Sequence, residues 1–300
     1  MYIKEFPPNF EIKYDIPLSD YTHIHIGGPA DYLTTVNDQN IFVQLYHFCM
    51  ENHLPFLPLG DGTNVFFSQD GYRGLVALVR FDAMSLAAGN ILVAEAGAPV
   101  SAMTGFCIEN RLTGFEFLSG IPGTIGGALF GNAGAYGDNV GNRLIRAKIL
   151  TGNGEIRFVN ASYFQFRYRH SILKQEPGHV LQAEFQLKKG NRTQIRETCE
   201  SITAKRAAKL PPPETWTAGS WFKNIKDEHG NATAAAKFLE NVGSKQTSVN
   251  DAAVHPKHAN IFYNKGHATA DDMLKLEKIL KDRVEQQFGI ELEREVMYLT

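Results

Sequence analysis

Between Gly114 and Gly137 the chain reads GFEFLSGIPGTIGGALFGNAGAYG, with eight of its 27 glycines in 24 residues where an even spread would place about two. Glycine lets the backbone approach a ligand closely and take positive φ. Successive backbone N–H groups in such a loop form a concave nest for phosphate oxygens, and Thr124 can add a hydroxyl. This is chemistry for a cofactor with a diphosphate. The candidate residues are Gly120, Pro122, Gly123, Thr124, Gly126 and Gly127, then Asn132, Gly134, Ala135, Tyr136 and Gly137. No GxGxxG follows a strand and no GxxxxGK[ST] occurs, so neither a Rossmann site nor a P-loop is indicated. A tight series of turns packed on a sheet would use glycine in the same way. A second cluster, Gly60-Asp61-Gly62-Thr63-Asn64, follows an apolar strand. Two such loops could clasp one extended dinucleotide, although Asp-Gly is also the commonest of turn signals.

The elements that must position these loops are partly legible. Asp31–Val36, Leu54–Leu59 and Leu75–Val79 read as strands, and apolar residues at 41, 42, 45, 48 and 49 predict a helix over 41–52. Ile91–Glu95 reads as a strand and Val100–Asn110 as a helix opened by Pro99. Phe48–Leu54 and Phe106–Leu112 are close in sequence, and both read as a last helical turn stopped by an asparagine in the left-handed conformation. Leu144–Leu150, Gly154–Val159 and His179–Leu187 read as strands, with Asn153-Gly154 as a hairpin turn. Thr193–Lys209 reads as a helix that Pro211-Pro212-Pro213 ends. Beyond it, Ala232–Asn241 reads as a helix and Ala259–Asn264 as a strand. Thr269 and Asp272 have the form of a capping box before a long helix, which Gly289 stops. Glu293–Leu299 reads as a final strand. The class is α+β. A domain boundary is expected between 205 and 206, with the first region divided near 80 and 81 and the last strand free to return to it.

Composition narrows the function. The 300 residues are 43% hydrophobic and carry a formal net charge of −2, so binding driven by phosphate neutralisation along a nucleic acid is not expected. Cys49, Cys107 and Cys199 form no CxxC, which argues against a disulfide framework and a metal site. No signal-like leader or membrane-length apolar run is seen. A cytoplasmic protein without membrane or nucleic-acid partners is expected, and a monomer is favoured.

The motifs, in order, resemble the UDP-N-acetylenolpyruvoylglucosamine reductase family over nearly the whole length. They are Thr22 with Ile26-Gly-Gly-Pro-Ala-Asp31, Leu59–Asn64, Gly120–Gly127, Asn132–Gly137, Tyr168-Arg-His-Ser171, Ala218–Asn224, Lys257-His-Ala-Asn260 and Leu292–Val296. The resemblance implies an FAD-binding fold of the vanillyl-alcohol-oxidase/PCMH type, with a C-terminal α+β substrate-binding lobe over 206–300. It implies noncovalent FAD, NADPH as hydride donor and a UDP-sugar substrate in peptidoglycan precursor synthesis. The short stretch between Tyr168 and Lys209 resembles the class that lacks an inserted tyrosine loop.

The resemblance also implies roles. Ser220 matches the proton donor, Arg169 the stabiliser of the charged intermediate and Glu295 the third catalytic position. Tyr168, Lys209, Asn224 and His258 match substrate contacts. Read from residue type alone, Ser220 is a turn serine after Gly219, Arg169 a strand-edge arginine and Glu295 a solvent-facing strand carboxylate. Alternation puts Arg167 with Arg169, and Glu293 with Glu295, on one face, so only the motifs choose between them. Arg294 stands where the family usually has proline, and Met297 where an arginine often helps bind the sugar nucleotide. The alternatives are a flavin oxidoreductase of the same superfamily with another substrate, and a noncatalytic flavin- or nucleotide-binding protein.

Overall fold

The computed structural model describes residues 6–226 and 232–300. Its helices are α1 (Gln39–Glu51), α2 (Val100–Glu109), α3 (Ile125–Gly131), α4 (Arg192–Lys209), α5 (Ala235–Asn241) and α6 (Ala270–Phe288). Helices and strands are mixed along the chain, and the α+β class holds. Chain contacts divide it into two units that are interleaved in sequence. One holds residues up to 13, 32–60 and 74–206; the other holds 14–31, 61–73 and 207–300.

The first unit is built on a five-stranded antiparallel sheet ordered Ile156–Asn160, Leu144–Thr151, Gly178–Gln186, Ile91–Glu95, Met84–Ala87. Its logic is period two. Leu181, Ala183 and Phe185 are fully buried, because alternate residues of a strand share one face. Gly154 lies in the turn between the first two of these strands, as Asn-Gly predicts. Phe56–Leu59 pairs in parallel with Tyr72–Val79, and α1, which precedes Phe56–Leu59 in the chain, buries Phe42, Leu45, Tyr46 and Cys49. Asp38 starts α1 by accepting from the N–H groups of Asn40 and Ile41 at 2.7 and 3.1 Å. Each fully buried Leu or Phe in such a core contributes about 1.5–3 kcal/mol.

The ends of α1 and α2 correct one expectation. The left-handed residues are His53 (φ 51°) and Arg111 (φ 58°), one place after the asparagines. Asn52 and Asn110 instead turn their side-chain amides back to donate to Phe48 O and Phe106 O, at 2.8 and 2.9 Å. His53 N–H bonds Met50 O and Leu54 N–H bonds Cys49 O, which is the Schellman pattern. The asparagine side chain satisfies a helix-end carbonyl, and the next residue takes the turn.

The second unit has a four-stranded antiparallel sheet ordered Thr217–Ser220, Ile261–Asn264, Ala252–Val254, Ser248–Val249. Helix α6 packs Met273, Leu276, Leu280 and Val284 into its core. The capping box forms with Asp in place of Glu: Asp272 N–H bonds Thr269 Oγ1 at 3.1 Å, and Thr269 N–H bonds Asp272 Oδ2 at 3.0 Å. Gly289 ends α6 at φ 66°. Two expected elements are shorter. Ala232–Thr233 is extended and the helix begins at Ala235. The last strand is Met297–Leu299, and it pairs in parallel with Val65–Phe67 of the same unit.

Candidate active site

In the first unit the glycine-rich stretch is a turn, a short helix and a hairpin. Residues 120–124 form the turn, and Thr124 caps α3, its hydroxyl accepting from Gly127 N–H at 3.4 Å. The N–H groups of Ile125 and Gly126 go to Ala98 O and Ala96 O at 2.9 and 2.8 Å. Ile125 and Gly126 therefore anchor the loop from behind. Gly60 packs against Thr124 so closely that a Cβ there would lie 2.6 Å from Thr124 Oγ1, and Arg80 donates to Gly60 O at 3.2 Å. The start of the second glycine cluster and the start of α3 thus meet within one unit.

Asn132 ends α3 in the left-handed conformation. It is buried, and its amide is used inside the protein: Nδ2 donates to Arg167 O at 2.9 Å and Oδ1 accepts from Gly141 N–H at 3.2 Å. Gly134-Ala135 then pairs with Asp138-Asn139 as a hairpin. Its two turn residues, Tyr136 and Gly137, both have positive φ, which is the hairpin turn that matches strand twist. Tyr136 projects from this turn, 60% exposed.

Arg169 does not lie on a strand. Arg167 and His170 exchange both backbone hydrogen bonds at 3.1 Å, so Tyr168 and Arg169 are the two central residues of a tight turn. Alternation therefore does not apply, and the two arginines separate: Arg167 is exposed, while Arg169 is half-buried with φ 54°. Arg169 Nη1 donates to Gly134 O at 3.1 Å, and its guanidinium lies 5.5 Å from the Tyr168 ring centre. A non-glycine residue held at positive φ costs of order 1–3 kcal/mol, and such strain concentrates at functional sites.

Arg206 joins this group, although residue type and spacing did not single it out. Its Nε donates to Gly120 O at 3.2 Å. Burial pulls its pKa below the ordinary arginine value; Tyr136 opposes this and the like charge of Arg169 adds to it. An anion at this place would relieve both the burial and the repulsion. The available signal was Arg206 three residues before Lys209 at the basic end of a helix, a spacing that shares one face.

In the second unit the structure brings Ser220 and Glu295 together. Thr217–Ser220 pairs with Ile261–Asn264 through a bulge, Thr217 opposite Tyr263 and Ser220 opposite Ile261. Gly219 is its left-handed residue, φ 80°, the geometry that re-aims the next side chain. Asn260 grips the chain just after Ser220: its Oδ1 accepts from Phe222 N–H at 2.9 Å, its Nδ2 donates to Phe222 O at 2.8 Å, and its carbonyl accepts from Trp221 N–H at 2.8 Å. Glu295 N–H donates to Trp221 O at 2.8 Å. The two glutamates are distinguished by their surroundings. Glu293 is exposed and ion-paired with Lys223, while Glu295 is half-buried.

The rest of the second glycine cluster lies here. A Cβ on Gly62 would fall 2.1 Å from Tyr21 O, Asn64 O accepts from Met297 N–H at 3.0 Å, and Asn64 Nδ2 donates to Glu295 O at 3.4 Å. Asp61 and Thr63 are half-buried. Asn224 accepts from Ala235 N–H at 3.4 Å. His258 Nδ1 accepts from Asn260 N–H at 3.2 Å. Burial, then Lys245, lower the His258 pKa; Glu240 opposes them and His255 adds to them. Lys209 is exposed at the end of α4, and Lys257 Nζ donates to Ala207 O nearby at 2.7 Å. Arg294 is engaged by Glu277 and by the Tyr298 ring. Among the described residues no group of three or more His, Cys, Asp or Glu is placed to hold a metal, and no helix is long and apolar enough to cross a membrane.

Comparison with known proteins agrees with this geometry. Residues 30–160 match the family model described as FAD binding domain, and residues 211–299 match the C-terminal domain model of UDP-N-acetylenolpyruvoylglucosamine reductase. The chain is 37% identical to a UDP-N-acetylenolpyruvoylglucosamine reductase of Clostridium kluyveri, over 95% of this chain and 92% of that one. It is 33% identical to UDP-N-acetylenolpyruvoylglucosamine reductase 2 of Bacillus cereus, over 98% and 95%. The crystal structure of the Thermus caldophilus reductase superposes with a TM-score of 0.79 at 25% identity, covering 97% of this chain and 99% of that one. With two family models in order and relatives matched end to end, the chain belongs to the UDP-N-acetylenolpyruvoylglucosamine reductase family.

Proposed function

We propose that this chain reduces UDP-N-acetylenolpyruvoylglucosamine to UDP-N-acetylmuramate with NADPH, using bound FAD. The observation that carries this reading is the seat of Ser220 and Glu295: a hydroxyl and a half-buried carboxylate on backbone segments joined by Glu295 N–H to Trp221 O at 2.8 Å. The donor set of the first unit fits the flavin diphosphate, with the turn 120–124, the Thr124 hydroxyl and Arg206 in place. FAD, when bound, supplies hydride acceptance from NADPH and hydride donation to the enol ether.

The protein groups do the rest. Arg169 offers a permanently charged fork to the carboxylate side of the substrate, where negative charge grows as hydride arrives. Ser220 delivers the proton to the carbon beside that carboxylate. A serine is a weak acid, so its effectiveness depends on polarising neighbours, and Glu295 supports the proton path. Tyr168, Lys209, Asn224 and His258 hold the nucleotide sugar, with His258 kept neutral at pH 7 by burial and by the charge of Lys245.

The test is spectroscopic. NADPH should bleach the visible flavin absorbance, and the enolpyruvyl nucleotide should restore it. Ser220→Ala should leave bleaching nearly intact and slow restoration by roughly 10²–10⁴-fold. Equal loss in both halves would remove Ser220 as the acid. Bleaching without restoration by this nucleotide would point to another substrate, and no bleaching at all to a binding protein.

A further inference from the structure

Glu277 is a buried carboxylate on α6, far in sequence from every residue of the proposed chemistry, yet it touches the neighbours of two of them. Its residue is 7% exposed. Its Oε2 accepts from the indole Nε1 of Trp221 at 3.0 Å and lies 3.3 Å from Nε of Arg294. Trp221 follows Ser220 in the chain, and Arg294 precedes Glu295. The backbones between them are already joined: Phe222 bridges Arg294, Lys223 N–H bonds Glu293 O at 2.9 Å, and Glu295 N–H bonds Trp221 O.

We infer that Glu277, acting through Trp221 and Arg294, is a positioning residue that fixes Ser220 and Glu295 relative to each other; this rests on the reading of Ser220 and Glu295 given above. Ser220 and Trp221 share one peptide bond, as do Arg294 and Glu295. Holding Trp221 and Arg294 on one carboxylate of α6 therefore fixes where the backbones of Ser220 and Glu295 lie relative to each other. Both anchors are themselves held. Trp221 is fully buried and stacked on Phe262, with ring centres 4.5 Å apart and 13° between planes. The Arg294 guanidinium lies 5.7 Å from the Tyr298 ring centre.

A purely structural role would not require this arrangement. A buried ion pair is often no more stabilising than apolar residues of the same volume; here Glu277 is buried and Arg294 half-buried, and Arg294 Nη1 is buried with no hydrogen-bond partner among the described residues. A core under selection for packing alone would replace the trio with hydrocarbon. A shared carboxylate between two flexible partners instead sets a unique register, and the chemistry is sensitive to register.

The test compares three variants of the full-length flavoprotein with the parent, reading each half-reaction separately. Glu277→Leu removes both contacts. It should slow flavin reoxidation by the enolpyruvyl nucleotide roughly tenfold to a hundredfold, the scale of a misplacement of about 1 Å, while reduction by NADPH stays within about twofold of the parent. Glu277→Gln keeps an acceptor for the indole and should recover most of the lost rate. Arg294→Met, which breaks the ion pair without touching the indole contact, should fall between them and serves also where Glu277→Leu folds poorly. An unchanged reoxidation rate in Glu277→Leu and Arg294→Met, or equal loss in both half-reactions, overturns the inference. If the parent itself is not reoxidised by the nucleotide, the functional reading falls and this inference with it. If the parent is reoxidised and the variants match it, only the inference falls.

Discussion

His179 is enclosed by the rings of Phe42, Tyr46 and Phe56, at centre distances of 5.9, 5.0 and 5.6 Å. Burial lowers its pKa to about 4, so the folded protein keeps it neutral while the unfolded chain protonates it near 6.5. Its contribution is fully present above about pH 6.5 and is lost as pH falls from there toward 4. Between pH 7 and pH 5 the loss is about 2 kcal/mol. His179→Phe should flatten the urea midpoint across that interval relative to the parent, and an unchanged slope would show that other groups set it. Arg206 invites a second measurement. A hydrogen bond to a charged group contributes about 1.5–3 kcal/mol, so Arg206→Met should weaken FAD binding by roughly tenfold to a hundredfold, followed by flavin fluorescence as cofactor is titrated in. At this scale residue type was a poor guide. Ser220, Arg169 and Glu295 were picked out by motif, and physical patterning left Arg167 and Glu293 equally good. The structure separates the arginines by a local turn over 167–170 and the glutamates by an ion pair to Lys223, 70 residues away, and strand alternation expresses neither.

Local signals at the level of elements did better. The capping box at Thr269 was readable because its two partners are three residues apart, and Thr269→Ala should lower unfolding free energy by about 1 kcal/mol. The ends of α1 and α2 were half readable. Asparagine marked the stop, yet the strained residue is the next one. A left-handed non-glycine residue costs roughly 1–2 kcal/mol, so His53→Gly should raise the unfolding free energy by up to that amount, reduced by the added entropy of the unfolded chain, and shift the urea midpoint upward. A fall instead would show that the His53 side chain contributes more than its backbone strain. The strand Val65–Phe67 was not foreseen at all. It is three residues long, too short for periodicity, and its partner lies at the far end of the chain. Nothing in the neighbouring residues could announce it.

For the whole molecule, a boundary near residue 206 follows from the proline break, but the packing is not consecutive. Ile24, Ile26 and Phe66 belong to the same core as Trp221, Phe262 and Leu280. A fragment of residues 207–300 should therefore lack part of its own interior. We expect it to give poorly dispersed amide spectra and to bind a hydrophobic dye, and to gain order when the full chain is restored. A cooperative melt of the fragment alone would show that the two early segments are dispensable.

The pairing of Met297–Leu299 with Val65–Phe67 also governs how the protein is made. Translation runs at about 5–20 residues per second, so the partner of Val65–Phe67 is synthesised roughly 10 to 50 s after it. Through that interval a strand of three buried apolar residues has no neighbour on that edge. The second unit cannot close until Met297–Leu299 has been made and has left the ribosome, so a chain cut short before Met297 leaves Val65, Phe66 and Phe67 available to chaperones or to aggregation.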